Sequence, residues 1–322
     1  MSLPANIFTL VADIGGTNTR VALAEGRRLK DGSIRRYRNA EFPGLESILR
    51  RYIDEEGGVD CAGACVAAAG PVRDGVAHMT NLSWTIEPEM LARATGAEKV
   101  AILNDLQAQG HALGALAPDS LRVVIEGPAA PAHAAKLVIG VGTGFNAAPV
   151  HEAPGGRVVA ASECGHVNLP VRTEADLRLA RFVETAHGFP GVEDVLSGRG
   201  LERLYAWVAT EAGAPAEKTA AEIMAGLDAC TDPLAEETAR TFLRLFGTEA
   251  GNLALIHLPF GGVYLVGGVA RAFTAHYARL GFAEAFRDKG RFAGFMQNFP
   301  VAIIEDDYAA LTGCASYLAG LR

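Results

Sequence analysis

Three apolar runs in this chain end in glycine-rich turns. Leu10-Val11-Ala12-Asp13-Ile14 enters Gly15-Gly16-Thr17-Asn18, Leu137-Val138-Ile139 enters Gly140-Val141-Gly142-Thr143-Gly144, and Gly262 to Val266 ends at Gly267-Gly268. Glycine lets backbone N–H groups approach an anion with no Cβ in the way, and Thr adds a hydroxyl donor, so such turns suit phosphate oxygens. A single turn of this kind could equally be a hairpin that needs a positive φ. The first two, however, repeat one pattern: Gly15 and Gly142 stand 127 positions apart in matching context, each between two apolar runs. Spacing excludes the familiar alternatives. Gly140, Gly142 and Gly144 read GxGxG, with Phe145 where a dinucleotide fingerprint needs its third glycine, and no lysine follows a glycine as a P-loop requires.

A fourth candidate is Asn104-Asp105, directly after the buried-type run Val100 to Leu103. The carboxyl end of a strand is where α/β sheets bind ligands, and an ionised Asp there can accept a proton. A turn or a helix N-cap would use the same two residues.

The elements that must position these residues alternate. Strand patterns at Phe8 to Ala12, Arg20 to Ala24, Cys61 to Ala69 and Val100 to Leu103 are interleaved with helical spacing at Gly44 to Glu56 and Glu87 to Thr95. After the repeated turn the chain is helix-rich, with Glu174 to His187, Leu201 to Glu211, Thr219 to Leu227, Pro233 to Ile256 and a terminal helix over Tyr308 to Leu321. At 322 residues, 49% hydrophobic and 20% charged, the chain predicts two α/β domains with a cleft between them. The net charge of −8 leaves no basic field for nucleic acid; the pairs Arg27-Arg28 and Arg35-Arg36 read as solvated hairpin edges. Cys61, Cys65, Cys164, Cys230 and Cys314 are odd in number without a CxxC pair, which argues against a disulfide framework or zinc cluster and for a reducing compartment. Met1 to Asn6 lacks a signal-peptide pattern and no run reaches the roughly 18 apolar residues of a membrane helix, so a cytoplasmic protein is expected.

Taken together, Asp13 to Arg20, Met79-Thr80-Asn81 with Trp84, Leu103-Asn104-Asp105, Gly142-Thr143-Gly144, Glu163-Cys164-Gly165-His166, Val195-Leu196-Ser197-Gly198 with Gly200-Leu201, and Gly261 to Val269 resemble bacterial glucokinase. Gly251 to Leu255 and Asp288 to Phe292 add to the resemblance, which spans almost the whole chain. It implies the actin-like ATPase (ribonuclease H-like) fold, with a small α/β domain of residues 1–110 plus about 306–322 and a large one of 111–305. It further implies phosphorylation of glucose to glucose 6-phosphate with ATP and Mg²⁺, in a homodimer.

Carried onto this sequence, the resemblance implies that Asp105 is the catalytic base and that Asn104, Asp105, Glu163, His166 and Glu193 bind the sugar. Carboxylates accept from vicinal hydroxyls and His accepts or donates, so such a set reads several hydroxyls of one pyranose. Glu193 alone could also be a solvated first-turn helix residue. Asp13, Gly15, Gly16, Thr17, Asn18, Thr143, Gly144, Gly267 and Gly268 fall to ATP and its metal, with no dedicated protein metal site; Mg²⁺ keeps several waters. The chain departs from the family pattern at Phe145-Asn146, where a Leu-Gly pair is usual, at Ser162 and Cys164, where glycines are expected, and at Asn168. Cys164 fits either a thiol-sensitive activity or an inert buried thiol. Two other functions fit the same residues: a kinase of another hexose or amino sugar, and a sugar sensor without turnover. The first phosphate strand begins by Phe8, which leaves no room for an N-terminal DNA-binding domain and weighs against the sensor.

Overall fold

The computed structural model describes residues 7–79 and 82–321. Thr80 and Asn81 of the Met79-Thr80-Asn81 motif, and the Met1 to Asn6 segment, lie outside the described residues. In chain order the first elements are β1 (Phe8–Ile14), β2 (Asn18–Glu25), β3 (Arg28–Leu29), β4 (Arg35–Arg38), α1 (Leu45–Glu55), β5 (Gly63–Ala68), β6 (Val72–Arg73), β7 (Val76–His78), β8 (Thr85–Ile86), α2 (Pro88–Thr95), β9 (Lys99–Asn104) and α3 (Asp105–Ala112). There follow β10 (Leu121–Ile125), β11 (Lys136–Val141), β12 (Phe145–Ala153), β13 (Gly156–Val159), α4 (Glu174–Glu184), α5 (Gly198–Glu211), α6 (Ala220–Asp228) and α7 (Pro233–His257). The last are β14 (Val263–Val266), α8 (Gly268–Ala272), α9 (Phe282–Arg287), β15 (Val301–Ile304) and α10 (Ala309–Gly320).

The chain forms two compact units. One comprises Met1–Ser120, Ala153–Ala161 and Asp306–Arg322; the other Leu121–Glu152 and Ser162–Glu305.

In the first unit the sheet order is β3-β2-β1-β5-β9, with β4 also on β2. β1 pairs antiparallel with β2, while β1, β5 and β9 run parallel. Alternation along β1 splits its side chains between two cores: Leu10, Ala12 and Ile14 meet residues of α1 and α2, and Val11 meets Cys65, Leu311, Cys314 and Ala315. Both faces are covered, which is why Leu10, Val11 and Ala12 are apolar in succession. α10 lies so close on α3 that a Cβ on Gly313 would stand 1.7 Å from the carbonyl oxygen of Ala108, so only glycine permits this crossing of the helix that opens with Asp105. The returning segment is tied in by Arg157, which donates to the carbonyls of Gly110 and His111 at 3.1 Å and to that of Leu113.

In the second unit the sheet runs β10-β15-β14-β11-β12. The repeated motif has the repeated architecture: β11 pairs antiparallel with β12 across the glycine turn and parallel with β14. The core gathers Phe242, Phe246, Phe273, Phe282 and Phe286, all fully buried, under the long α7. All five cysteines are free thiols. No helix among the described residues is long and apolar enough to cross a membrane.

Candidate functional site

In the first unit, parallel register places the ends of β1, β5 and β9 level: Ile14 pairs with Ala68 and Ala68 with Asn104. Asp13 and the Asn104-Asp105 pair therefore share one edge of the sheet, two strand spacings or roughly 10 Å apart. Asn104 does cap α3: its Oδ1 accepts from Leu106 N–H at 3.0 Å and its backbone N–H donates to Gln107 Oε1 at 3.1 Å. The capping alternative is thus realised, yet by Asn104 alone. The Asn104 amide also donates to the Gly70 carbonyl at 3.0 Å, fixing its plane. Asp105 Oδ1 accepts from Leu106 N–H at 2.9 Å, and the Asn104 side chain is a further hydrogen-bond partner of the carboxylate. Burial is the main cause that pushes the Asp105 carboxyl up, to about 6; the Leu106 N–H opposes this and the charge of Asp13 adds to it. Asp13 is pushed up as well, by burial, against the pull of Arg20, whose Nη1 donates to Oδ2 at 3.1 Å.

Gly15, Gly16, Thr17 and Asn18 form the turn between β1 and β2, closed by Gly15 N–H on the Asn18 carbonyl at 3.0 Å. Asn39, which is 2% exposed, staples it: its Nδ2 donates to the Gly15 carbonyl at 2.8 Å and its Oδ1 accepts from Thr19 Oγ1 at 2.8 Å. Sequence reasoning missed Asn39. It follows β4 directly after Arg38 and carries no local signal.

In the second unit the turns Gly142-Thr143-Gly144 and Gly267-Gly268 come together. The Gly142 carbonyl accepts from Gly198 N–H at 2.8 Å, a Cβ on Gly142 would stand 3.9 Å from Gly268 N, and a Cβ on Gly267 would overlap the Val141 carbonyl at 2.3 Å. Glu193, Glu163 and His166 belong to the same unit. Glu193 sits in a bend before α5, so it is not a solvated first-turn residue; its Oε2 accepts from Phe145 N–H at 2.9 Å. Gly144 makes room for it, since a Cβ there would stand 2.4 Å from Glu193 Oε2. Gly165 permits a similar approach, because its Cβ would meet the Phe145 carbonyl at 2.1 Å while its own carbonyl accepts from Glu193 N–H at 2.9 Å. Glu163 and His166 are exposed on the turn that brackets Gly165, and His166 and Glu193 line a cavity of about 340 Å³ with His187, Asp194 and Arg203. Burial pushes the half-buried Cys164 thiol up, which lowers its reactivity.

Among the described residues no cluster of three His, Cys, Asp or Glu could hold a metal. The donor set instead fits a hydrated divalent cation: among the described residues Arg20 is the one side-chain donor to the Asp13 carboxylate, on Oδ2, and the mutual repulsion of Asp13 and Asp105 favours a positive charge beside them.

Comparison with known proteins gives the family and the fold. The family model for glucokinase matches residues 10–321. A glucokinase of Saccharophagus degradans is 36% identical over 96% of this chain and 97% of its own length. The crystal structure of a glucokinase from an Antarctic psychrotroph is 29% identical, covers 98% of this chain and 99% of that one, and superposes with a TM-score of 0.88. The glucokinase of Balamuthia mandrillaris, solved with glucose, shares the fold at 23% identity, with a TM-score of 0.79 over 97% of this chain and 93% of that one. Fold and site thus define a sugar kinase of the two-domain actin-like ATPase class. More narrowly, the chain belongs to the glucokinase family, and its activity is ATP-dependent phosphorylation of glucose.

Proposed function

We propose that Asp105 is the general base of this reaction and that Asn104, Asp105, Glu163, His166 and Glu193 bind glucose. The observation that carries the proposal is the state of Asp105: it stands at the carboxyl end of β9 on the sheet edge it shares with Asp13, Leu106 N–H anchors one oxygen, and burial raises the carboxyl to about 6. Phosphoryl transfer asks the protein mainly to position groups and balance charge. A carboxylate with this raised pKa is still mostly ionised at neutral pH and is a stronger base than an ordinary Asp, so it can orient the sugar 6-hydroxyl and take its proton as the new P–O bond forms. Asn104 holds the adjoining backbone through its cap and its bond to Gly70.

ATP is assigned to the turns Gly15-Gly16-Thr17-Asn18, Thr143-Gly144 and Gly267-Gly268, whose backbone N–H and hydroxyl groups suit phosphate oxygens. Asp13 would hold Mg²⁺ through water; when bound, the ion neutralises charge on the phosphates. Arg20 fixes the Asp13 carboxylate from the other side. The functional division proposed is a small domain of residues 1–110 with about 306–322 and a large domain of 111–305; the compact units differ from it chiefly in placing 111–120 and 153–161 with the first. A homodimer in the cytoplasm completes the proposal, as the resemblance to bacterial glucokinase implies.

The test is Asp105→Asn, which keeps the Leu106 contact and removes the base. We expect kcat to fall by roughly 10³ with glucose and ATP, in the range removal of a general base costs. Turnover near wild type would sink the assignment.

A further inference from the structure

Asn146 lies on β12, two residues beyond Gly144, and contacts no substrate in the reading above. Its amide is saturated by protein. Oδ1 accepts from the backbone N–H of Ala147 at 2.8 Å and of Cys164 at 3.2 Å, and it also lies 2.9 Å from the Ser162 hydroxyl and 3.5 Å from the Cys164 thiol. Nδ2 donates to the Ser162 carbonyl and, at 3.3 Å, to Oε2 of Glu163. The two backbone donors fix which end of the amide is oxygen, so the end facing Glu163 is the NH₂. Asn146, Ser162 and Cys164 are all positions where the sequence departs from the family pattern. In the structure they form one hydrogen-bonded cluster, and its outermost donor is spent on Glu163.

The Glu163 side chain is exposed, and this is its one donor among the described residues. A solvated Glu samples several rotamers, and a single N–H on one oxygen selects among them while leaving Oε1 open. From this geometry we infer that Asn146 is a positioning residue for sugar recognition: its Nδ2 holds the Glu163 carboxylate in one orientation, ready to accept from a sugar hydroxyl. The inference rests on the reading of Glu163 as a sugar-binding residue. Gains in pre-organisation of this kind appear in KM, because the carboxylate need not be ordered when the sugar arrives.

The experiment is steady-state kinetics on Asn146→Ala, Asn146→Asp, Glu163→Ala and the double variant Asn146→Ala/Glu163→Ala. Asn146→Asp keeps the shape and the Oδ1 acceptor, so the loop can still fold, but it turns an oxygen toward Glu163. Both Asn146 variants are expected to raise the glucose KM by roughly tenfold, the scale of one hydrogen bond to a charged group, with the ATP KM within about twofold. In the Glu163→Ala background the Asn146→Ala factor should shrink below about twofold, since the group it positions is gone. A factor that persists undiminished in that background would show Asn146 acting through the loop backbone and would overturn the inference. Normal KM in both Asn146 variants, with Glu163→Ala impaired, would overturn it alone. Normal KM in Glu163→Ala would instead remove the sugar-site reading and this inference with it.

Discussion

The two glycine turns are alike in sequence and in backbone but are held by different means. Counting 127 positions from one to the other, Gly15 corresponds to Gly142, Asp13 to Gly140 and Thr19 to Asn146. Each turn closes on itself, Gly15 N–H reaching the Asn18 carbonyl at 3.0 Å and Gly142 N–H the Gly144 carbonyl at 2.9 Å. The first is then stapled by Asn39, 24 residues away from Gly15, through Thr19. At the second, the residue in the place of Thr19 is itself the staple: Asn146 reaches the loop at Ser162 and Cys164, and the neighbouring Phe145 N–H takes Glu193. Charge differs too, since the strand of the first turn carries Asp13 where that of the second has glycine. A repeated pattern thus specifies a backbone shape, and the partners that arrive from elsewhere decide which side chains surround it: Asp13, Arg20 and Asn39 at the first turn, Asn146 and Glu193 at the second.

The comparison is most exposed at the turn glycines. In Gly144→Ala the new methyl would stand 2.4 Å from Glu193 Oε2, whereas in Gly15→Ala it would stand 3.4 Å from the Asn18 carbonyl, an ordinary contact. The Glu193 carboxylate is the end of a flexible side chain, so it swings away and the fold survives. Its bond to Phe145 N–H does not. We expect Gly144→Ala to raise the glucose KM by roughly a hundredfold with little change in melting temperature, a misplacement effect. Gly15→Ala should leave glucose KM within about twofold. Equal effects of the two substitutions on glucose KM would show that the turns do not divide their work as described.

Asn39→Ala attacks the other staple. It strands the Gly15 carbonyl and the Thr19 hydroxyl in a site where Asn39 is only 2% exposed. Unsatisfied buried groups of this sort cost roughly 2 kcal/mol in total, or about 5 °C in melting temperature for a chain of this size. The ATP KM should rise while that for glucose holds. A glucose-specific defect in this variant would contradict the division.

How much of this is legible in the sequence follows from the range of the forces involved. The strands β1, β5 and β9, the helices α1 and α7, and the repeat itself are visible because alternating burial and helical spacing are written locally. Short strands such as β10, β13 and β15 are missed: β10 is largely exposed, and β15 depends on partners far along the chain. The same holds for the site. Asp105 is conspicuous at a strand end, but its raised pKa depends on burial and on Asp13, 92 positions earlier. Glu193 reads as a helix start and is instead seated on β12. Asn39 and Asn146 are invisible as supports, because an isolated Asn has the same local signature whether it faces water or a distant carbonyl. Gly313 looks like one more small residue of a terminal helix, and only the approach to Ala108 shows why it must be glycine.

The smallest expected effect concerns the acidic side of the comparison, and its sign is opposite to that of Asn39→Ala. The Asp105 carboxyl titrates at about 6 in the folded protein, against an ordinary value of 3.8. Between those values the folded state holds a proton that the unfolded chain has released, so stability falls as pH rises through that window, and above it the ionised carboxylate carries a constant penalty. Asp105→Asn removes the penalty while keeping the acceptor for Leu106 N–H. The substituted protein should therefore be more stable than wild type at pH 7.5, by about 1 kcal/mol once partial exposure is allowed for, and the gain should vanish toward pH 4. Wild-type kcat/KM should in turn drop about tenfold per pH unit below 6, as the base is protonated. Melting curves of the two proteins across this pH range measure the first effect, and a pH–rate profile the second. An acid limb near 4, with no stabilisation by Asn at neutral pH, would mean that Asp105 is well solvated, and the contrast between the buried Asp105 and the exposed Glu163 would fall.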